Sequence, residues 1–255
     1  MISFNQITLN MGQTQILKCL SGQFEAATIS ALVGPNGSGK SSLLSLLSGI
    51  RKPSQGECFL QQRRYQDYSQ AELAKTLAFL PQRNPVPNSL NVADLVAFGR
   101  HPHRPWYRAL QAEDKEIIDW AMHETGVKTY QNKALTSLSG GELQRCWLAM
   151  TLAQNTPVIL LDEPTSWLDI AHQQSLLNIV KRLNKAHGKT IIWVLHDLNQ
   201  ARRYSHQGIL LNEGEIVASG DIEQVITPDL ISDVYRTKIK ELPFDGTPML
   251  IPEYA

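Results

Sequence analysis

The sequence predicts an α/β protein built on a mainly parallel β-sheet. Three short runs of apolar, often β-branched residues, at 28–33, 158–162 and 190–195, have the pattern of strands buried on both faces. After the first two runs come segments with apolar residues three to four positions apart, the spacing of helices that pack on one side. Strands that alternate with helices form parallel sheets, and such sheets bind ligands at the carboxyl ends of their strands.

Further elements are predicted around this pattern. Ser69 and Glu72 have the spacing of a capping box, and Asn91 can cap the helix that follows it, so a helix is expected to begin at each place. The tail from residue 221 predicts two short helices with room for a strand. The other expected elements are strands at 2–9, 15–20, 23–25, 57–60 and 77–80, helices at 92–98, 112–125 and 142–154, and a hairpin at 209–218.

Composition narrows the class of protein. The chain has 255 residues and carries 24 basic and 24 acidic side chains, which argues against bulk nucleic acid or an anionic membrane surface as the main partner. No apolar run approaches 18 residues, and we expect neither a membrane span nor a secretory signal. The three cysteines form no C-x-x-C pair, and Cys19 and Cys146 lie in apolar runs. We expect those two to be buried thiols in a reducing compartment.

A glycine-rich loop follows the first buried run. Residues 34–41 fit the pattern G-x-x-x-x-G-K-[ST] between a predicted strand and a predicted helix. Glycines let the backbone wrap an anion, and a helix N-terminus adds about half a positive charge. We expect a nucleotide site, with Lys40 on the phosphates and the Ser41 hydroxyl on Mg²⁺; the alternative is a plain glycine turn. The expected contact residues are Gly34, Pro35, Asn36, Gly37, Ser38, Gly39, Lys40, Ser41 and Ser42.

Polar residues end the other buried strands. Asp162 and Glu163 follow the most apolar strand, where adjacent carboxylates are costly unless they meet a cation or water. Asp162 is placed to hold Mg²⁺, and Glu163 to polarise an attacking water. His196 follows the next strand and can donate to a γ-phosphate. The Gln82 amide follows another strand and can orient both metal and water. The alternative for the carboxylates is a strand end that simply meets solvent.

A second glycine-rich helix start lies at 138–145. Its Ser139 hydroxyl, the backbone at Gly140 and Gly141, and the helix dipole predict another anion site. Two phosphate half-sites in one chain suggest a two-fold dimer in which each second half-site closes the partner's first. The alternative is again a glycine turn.

With these motifs the chain resembles the ATP-binding subunit of an ABC transporter. Residues 34–41 match the Walker A motif, Gln82 the Q-loop, 138–144 the signature, 158–163 Walker B, 166–169 the D-loop with Asp169, and His196 the switch histidine. The resemblance implies a P-loop (RecA-like) core with an antiparallel β subdomain at about 1–82 and 156–255, and a helical subdomain at about 83–155. It also implies an ATP- and Mg²⁺-dependent ATPase that dimerises head to tail around two ATP.

The chain departs from the family pattern at three positions. Met11 stands where the family has an aromatic residue that stacks on adenine, and its thioether can pack on a purine instead. Trp167 replaces a smaller D-loop residue, and Ser42 replaces the more usual Thr.

The segment 83–110 is expected to contact a membrane partner. It is rich in proline, arginine and histidine, unlike the strands around it. Within the family, a groove here receives a short helix of the permease. We expect Leu95, Phe98 and Trp106 as apolar anchors and Arg100 and Arg104 as rim charges. The alternatives are a solvated loop and, for Leu95 and Phe98, a place in the core.

The cargo is inferred from resemblance alone. Segments 96–102, 165–173 and 219–221 are similar to those of importer ATPases for iron chelates (siderophores), haem and cobalamin. Ferric siderophore is the first expectation, with haem or cobalamin as alternatives. The resemblance implies a homodimer with two permease subunits at the cytoplasmic face of the inner membrane, served by a substrate-binding protein. Less favoured are a soluble ABC ATPase acting on nucleic acid or the ribosome, and a small-molecule kinase.

Overall fold

The computed structural model describes residues 1–86, 88–104, 107–244 and 247–253. Pro87, Pro105 and Trp106 of the predicted arm therefore lie outside the described residues. The chain divides into two compact units, the first comprising Met1–Asp67 with Thr190–Ala255 and the second Tyr68–Lys189.

The elements follow the predicted alternation. In chain order they are β1 Ile2–Met11, β2 Thr14–Phe24, β3 Ile29–Val33, α1 Lys40–Leu47, β4 Gln55–Leu60, β5 Arg63–Arg64, α2 Gln70–Thr76, β6 Leu77–Leu80, α3 Val92–Ala97, α4 Ala112–Glu124, α5 Gly140–Ala153, β7 Val158–Asp162, α6 Ile170–His187, β8 Thr190–Val194, α7 Leu198–Tyr204, β9 Gln207–Asn212, β10 Glu215–Asp221, α8 Ile222–Val225, α9 Pro228–Tyr235, β11 Ile239–Leu242 and β12 Met249–Pro252.

The first unit contains the parallel strands that carry the glycine loop. Strand β3 is buried along its whole length and pairs in parallel with β8 on one side and β9 on the other. Strand β10 pairs antiparallel with β9. Strands β2, β1, β4 and β5 form a separate antiparallel sheet, in that order. Because β3 and β8 are buried on both faces of the sheet, they consist mainly of apolar and β-branched residues.

A β-bulge in the antiparallel sheet overturns one expectation. Cys58 and Cys146 are buried, but Cys19 is exposed. Ile7 pairs with Leu20 and Leu9 with Leu17, so β2 has one more residue than β1 between these pairs. Cys19 takes up this irregularity with a φ of 54°. The prediction that the Cys19 thiol is buried is therefore wrong, because a bulge breaks the alternation of inward and outward side chains.

The second unit packs helices around α5. Strands β6 and β7 pair in parallel, and α5 lies against α3 and α4. The capping box predicted at Ser69 and the cap predicted at Asn91 are both confirmed, and the structure shows that the Asn91 cap is also a capping box, with Asp94. Each satisfies two backbone N–H groups that would otherwise lack partners at a helix start.

Two residues expected at the permease surface lie in the core of this unit. Leu95 is 1% exposed and Arg100 is 4% exposed. The Arg100 guanidinium donates from Nε to Asp114 Oδ1 at 2.8 Å and from Nη1 to the Ala153 carbonyl at 3.0 Å. The interpretation of Arg100 as a rim charge is therefore wrong, because its guanidinium is buried against α4 and α5. For Leu95 the burial supports the alternative, a place in the core, over an anchor at the surface. Phe98 is 41% exposed.

The predicted fold class, α/β with a parallel sheet and an antiparallel β subdomain, is confirmed. The finer division, with 83–155 alone as the helical subdomain, stays a prediction. The tail forms the two expected helices and a hairpin of β11 and β12. Within the described ranges, no helix is both long and apolar enough to cross a lipid bilayer.

Candidate active site

The loop between β3 and α1 can be built only with glycine at two positions. Gly34 has a φ of 144°, and a Cβ there would lie 2.1 Å from the Leu211 carbonyl oxygen. Gly39 has a φ of 103°, and its Cβ would lie 2.6 Å from Leu17 Cδ2. Neither the dihedral angles nor the space admits a side chain. At these two positions the loop therefore packs so closely against Leu211 and Leu17 that only glycine can follow its path.

The start of α1 favours an anion. Gly39 is the N-cap and provides no side-chain cap, and no acidic residue lies in the first turn. The N–H groups of this turn and the positive end of the helix dipole therefore attract negative charge. Lys40 is 6% exposed, and its Nζ donates to the carbonyl oxygens of Gly34 and Pro35, both at 2.8 Å. The ammonium group is thus held at the loop itself.

Ser38 supports the same conclusion. Its side chain is 2% exposed, and its Oγ has no hydrogen-bond partner among the described residues. A buried hydroxyl without a partner is costly, so such groups commonly mark a place for a polar ligand or water. The glycine path, the uncapped helix and the Lys40 ammonium fit the phosphates of a nucleotide.

Tyr235 supports the loop from helix α9, a contact that sequence reasoning missed. Its hydroxyl accepts a hydrogen bond from the Gly34 backbone; burial raises the pKa of Tyr235, and this bond opposes the rise. A cavity of about 320 Å³ lies beside it, lined by Asn36, Asn212 and Arg236 among others. Neither periodicity nor a motif signals a contact between residues 201 positions apart in the chain.

Two further predicted residues lie in the first unit. His196 follows β8 and is exposed, while the neighbouring Asp197 caps α7 by accepting from the N–H groups of Asn199 and Gln200. Met11 is 48% exposed, and Arg51 Nη1 lies 3.4 Å from its Sδ. The thioether predicted to contact a base is thus accessible, with a guanidinium beside it.

In the second unit the structure brings Gln82 and Glu163 together. Glu163 follows β7 with a φ of 48°, and its Oε2 accepts from Gln82 Nε2 and from Ser166 Oγ, the latter at 3.0 Å. Asp162, at the end of β7, is 7% exposed. Two donors therefore orient the Glu163 carboxylate. Ser166 was not predicted for this role, although a serine three residues after a carboxylate in a turn is within reach of it.

The second glycine-rich helix start is capped by its own residues. Ser139 Oγ accepts from the Glu142 N–H at 3.3 Å and donates to Glu142 Oε2 at 2.8 Å, and the Ser139 N–H donates to the same oxygen at 2.8 Å. These bonds from Ser139 hold the pKa of Glu142 below its ordinary value. The predicted anion site thus has a carboxylate at its edge.

Asp169 lies at the start of α6 beside this helix. It is the N-cap of α6, and its Oδ1 accepts from the His172 N–H at 2.8 Å and lies 2.7 Å from His172 Nδ1. Hydrogen bonds from the His172 backbone and ring hold the pKa of Asp169 below its ordinary value. Nearby, Trp167 and Ile170 are 85% and 87% exposed.

The described part of the chain is expected to contribute oxygen ligands to a Mg²⁺ ion rather than a complete metal centre. Among the described residues, no three His, Cys, Asp or Glu side chains cluster as a metal site. Mg²⁺ commonly takes only one or two carboxylates from a protein and completes its shell with phosphate oxygens and water. Each of the three residues predicted to hold Mg²⁺, Ser41, Gln82 and Asp162, carries a side-chain oxygen, the ligand type that Mg²⁺ prefers.

The family model described as ABC transporter matches residues 17–166, which cover the glycine loop, the second glycine-rich helix start and Glu163. The chain belongs to the ABC transporter family. Its motifs for ATP are those of the family's ATP-binding subunits, which hydrolyse ATP, and the chain is accordingly an ATPase.

Curated relatives match nearly the whole chain. The ferric enterobactin transport ATP-binding protein of Escherichia coli is 41% identical over 97% of this chain and 92% of its own length. The iron(3+)-hydroxamate import ATP-binding protein of Bacillus subtilis is 41% identical over 92% and 87%. The hemin import ATP-binding protein of Shewanella denitrificans is 39% identical over 92% and 93%.

Solved ABC proteins share the fold. A metal-chelate type ABC transporter in an inward-facing conformation has a TM-score of 0.86 at 26% identity, covering 99% of this chain and 97% of its own. A dimeric ATP-binding cassette in a post-hydrolysis state, bound to ADP and Pi, has a TM-score of 0.76 at 27% identity, covering 88% and 99%.

Proposed function

We propose that this ABC ATPase drives import of a ferric siderophore. The choice of cargo rests on one observation. Two relatives, each 41% identical over most of this chain, have names that specify iron(III) chelates. Haem is the second candidate, because a hemin import protein is 39% identical over a similar span. The motor chemistry is the same for both cargoes, since the cargo is bound by other subunits.

The loop residues Gly34 to Ser42, Lys40 among them, would hold the ATP phosphates. The N-cap of α1, Gly39, has no side chain to compete with a phosphate, and the Lys40 ammonium is already held at the loop. Ser41, Gln82 and Asp162 would hold Mg²⁺, which supplies charge neutralisation at the phosphate oxygens. Met11 would pack on the adenine.

Glu163 is proposed as the residue that orients and polarises the attacking water. Gln82 and Ser166 fix its carboxylate through hydrogen bonds to one oxygen, so little reorganisation is needed when ATP binds. His196, exposed after β8, would donate to the γ-phosphate. In phosphoryl transfer, catalysis rests mainly on such positioning and electrostatic stabilisation.

A second copy of the chain would complete each site. Ser139, Gly140 and Gly141 start α5, whose N-terminus can meet the γ-phosphate held by the partner. Asp169 would lie at the same interface, and the highly exposed Trp167 and Ile170 beside it are apolar groups that a partner would cover. We place this homodimer with two permease subunits and a substrate-binding protein, at the cytoplasmic face of the inner membrane.

The permease surface is proposed around Phe98. Phe98 is 41% exposed, and its ring packs edge-on against His101, with ring centroids 5.0 Å apart. Of the charges first assigned to this surface, only Arg104 remains, because Arg100 is buried in the arm. Photo-cross-linking from position 98 would test this surface, and labelling of no permease subunit would place it elsewhere.

Glu163→Gln tests the proposed catalytic role. The amide keeps the shape of the carboxylate but cannot polarise water as a base, so we expect turnover to fall by about 100-fold or more while ATP binding is retained. Glu116→Gln, at an exposed position on α4, is the matched control and should leave turnover unchanged. ATP hydrolysis and uptake of labelled ferric siderophore or haem should be measured together. Near wild-type hydrolysis by Glu163→Gln would contradict the assignment.

A further inference from the structure

We propose that His172 is a positioning residue that fixes the signature segment, residues 138–145, to the D-loop, residues 166–169, of the same chain. The inference rests on the proposed function, because it concerns how the two half-sites of one chain are kept in register. None of the motifs predicts that His172 contacts ATP.

The imidazole of His172 lies directly against Gly141. A Cβ added at Gly141 would lie 2.6 Å from His172 Cδ2, 2.7 Å from Cγ and 3.0 Å from Nε2. Real Cβ atoms do not approach other heavy atoms so closely, so the ring touches the backbone of the signature segment at this residue. By contrast, a Cβ at Gly140 would meet no heavy atom of the described residues within 4 Å, apart from its chain neighbours and its own helix backbone. The structure thus requires glycine at 141 because of His172.

The ring is fixed from its other side by the D-loop. Asp169 Oδ1 lies 2.7 Å from His172 Nδ1 and also accepts the His172 backbone N–H at 2.8 Å. A ring held by one hydrogen bond and one packing contact has few rotamers open to it. Gln144 of the signature segment adds a bond close to the D-loop, because its Nε2 donates at 3.3 Å to the carbonyl of Pro164, two residues before the D-loop begins.

The D-loop also contacts the carboxylate of Glu163, the proposed catalytic residue. Ser166 Oγ donates to Glu163 Oε2 at 3.0 Å, and only nine positions separate Glu163 from His172. The signature segment is proposed to serve the partner's ATP, whereas Glu163 serves the ATP of its own chain. His172 therefore connects the two ATP sites of the dimer through a short, hydrogen-bonded segment.

A double-mutant cycle between positions 141 and 172 tests this contact. In the full-length wild-type background, the methyl group of Gly141→Ala collides with the ring, and we expect kcat to fall at least 10-fold. In the His172→Ala background that space is open, so adding Gly141→Ala should cost less than about 3-fold. Gly140→Ala is the matched control, and its effect should be the same in both backgrounds. The affinity of the monomer for a fluorescent ATP analogue should not change with residue 172.

His172→Asn separates the two contacts of the ring. Asparagine keeps a side-chain donor for Asp169 but has no ring to press on Gly141. We expect it to recover part of the kcat lost in His172→Ala and to relieve Gly141→Ala as His172→Ala does. A merely structural residue would shift the unfolding midpoint without this pattern in kcat.

The unfolding midpoint of each variant in the cycle should also be measured by thermal unfolding. Failure of the proposed role of His172 can then be distinguished from failure of the proposed function. Equal losses of kcat from Gly141→Ala in both backgrounds would overturn the role of His172, whether or not the unfolding midpoints are coupled. A wild-type chain with no ATPase activity would refute the proposed function and the role of His172 with it, even if unfolding showed the contact.

Discussion

Glu142 places a negative charge beside the N-terminus of α5, where the proposed dimer must bind a phosphate. Ser139 donates two hydrogen bonds to its carboxylate, which keep its pKa below the ordinary value. A group with a depressed pKa is ionised at neutral pH, so Glu142 is charged when ATP binds. The capping box that starts the helix therefore weakens its attraction for an anion.

Glu142→Gln should strengthen ATP-driven dimerisation. The amide keeps an acceptor for the Ser139 N–H and completes the capping box, but it removes the charge that opposes phosphate. We expect the ATP concentration for half-maximal dimerisation to fall several-fold, measured by light scattering in a Glu163→Gln background. The same change at the exposed Glu116, away from this helix start, should have no effect. An unchanged or higher ATP requirement would show that α5 does not meet the phosphate.

At the scale of the elements, a buried ion pair joins the helices of the second unit. Arg100 and Asp114 are 4% and 7% exposed. Burial by itself raises the pKa of Asp114, but hydrogen bonds from Arg100 and from the Gln111 N–H outweigh it and leave that pKa below its ordinary value. The interaction therefore stabilises the fold above the ordinary carboxyl pKa of about 4, and is lost as pH falls through the depressed value.

Asp114→Ala should destabilise the chain by about 3–5 kcal/mol at neutral pH, because it leaves the buried Arg100 guanidinium without its carboxylate. The paired change Arg100→Met with Asp114→Leu removes both charges and should recover most of that loss. The free energy of unfolding in urea measures both variants. The deficit of Asp114→Ala should shrink as pH falls below the depressed pKa of Asp114. A deficit under 1 kcal/mol at neutral pH would contradict the structural role of this pair.

Features that depend on residues close together in the chain could be predicted from the sequence, whereas features that depend on contacts between distant residues could not. The caps at Ser69 and Asn91 were predictable because each depends on residues three positions apart. The burial of Arg100 depends on Asp114 and on the backbone of another helix, and the exposure of Cys19 on a bulge between two strands. The glycine loop was predictable as a motif, whereas its support by Tyr235 needed the folded chain.

At the scale of the whole molecule, one chain carries two different helix starts that are proposed to bind phosphate. The uncapped start of α1 holds Lys40 at its loop, and the start of α5 carries the glycine pair. Nothing in a one-chain ATPase requires both. A two-fold dimer uses each of them once per site, and a dimeric cassette bound to ADP and Pi shares this fold. The proposed mechanism therefore depends on ATP sites that two chains share.

Mixing two inactive variants measures this sharing most directly. Lys40→Ala removes the phosphate ligand of the first half-site, and Ser139→Arg blocks the second, with folding of each checked by its unfolding midpoint. A heterodimer then rebuilds one intact composite site. Since half of randomly paired dimers are heterodimers with one of two sites intact, ATPase activity should rise to about a quarter of the wild-type value. No activity above that of the separate variants, or full activity of Ser139→Arg alone, would contradict the account.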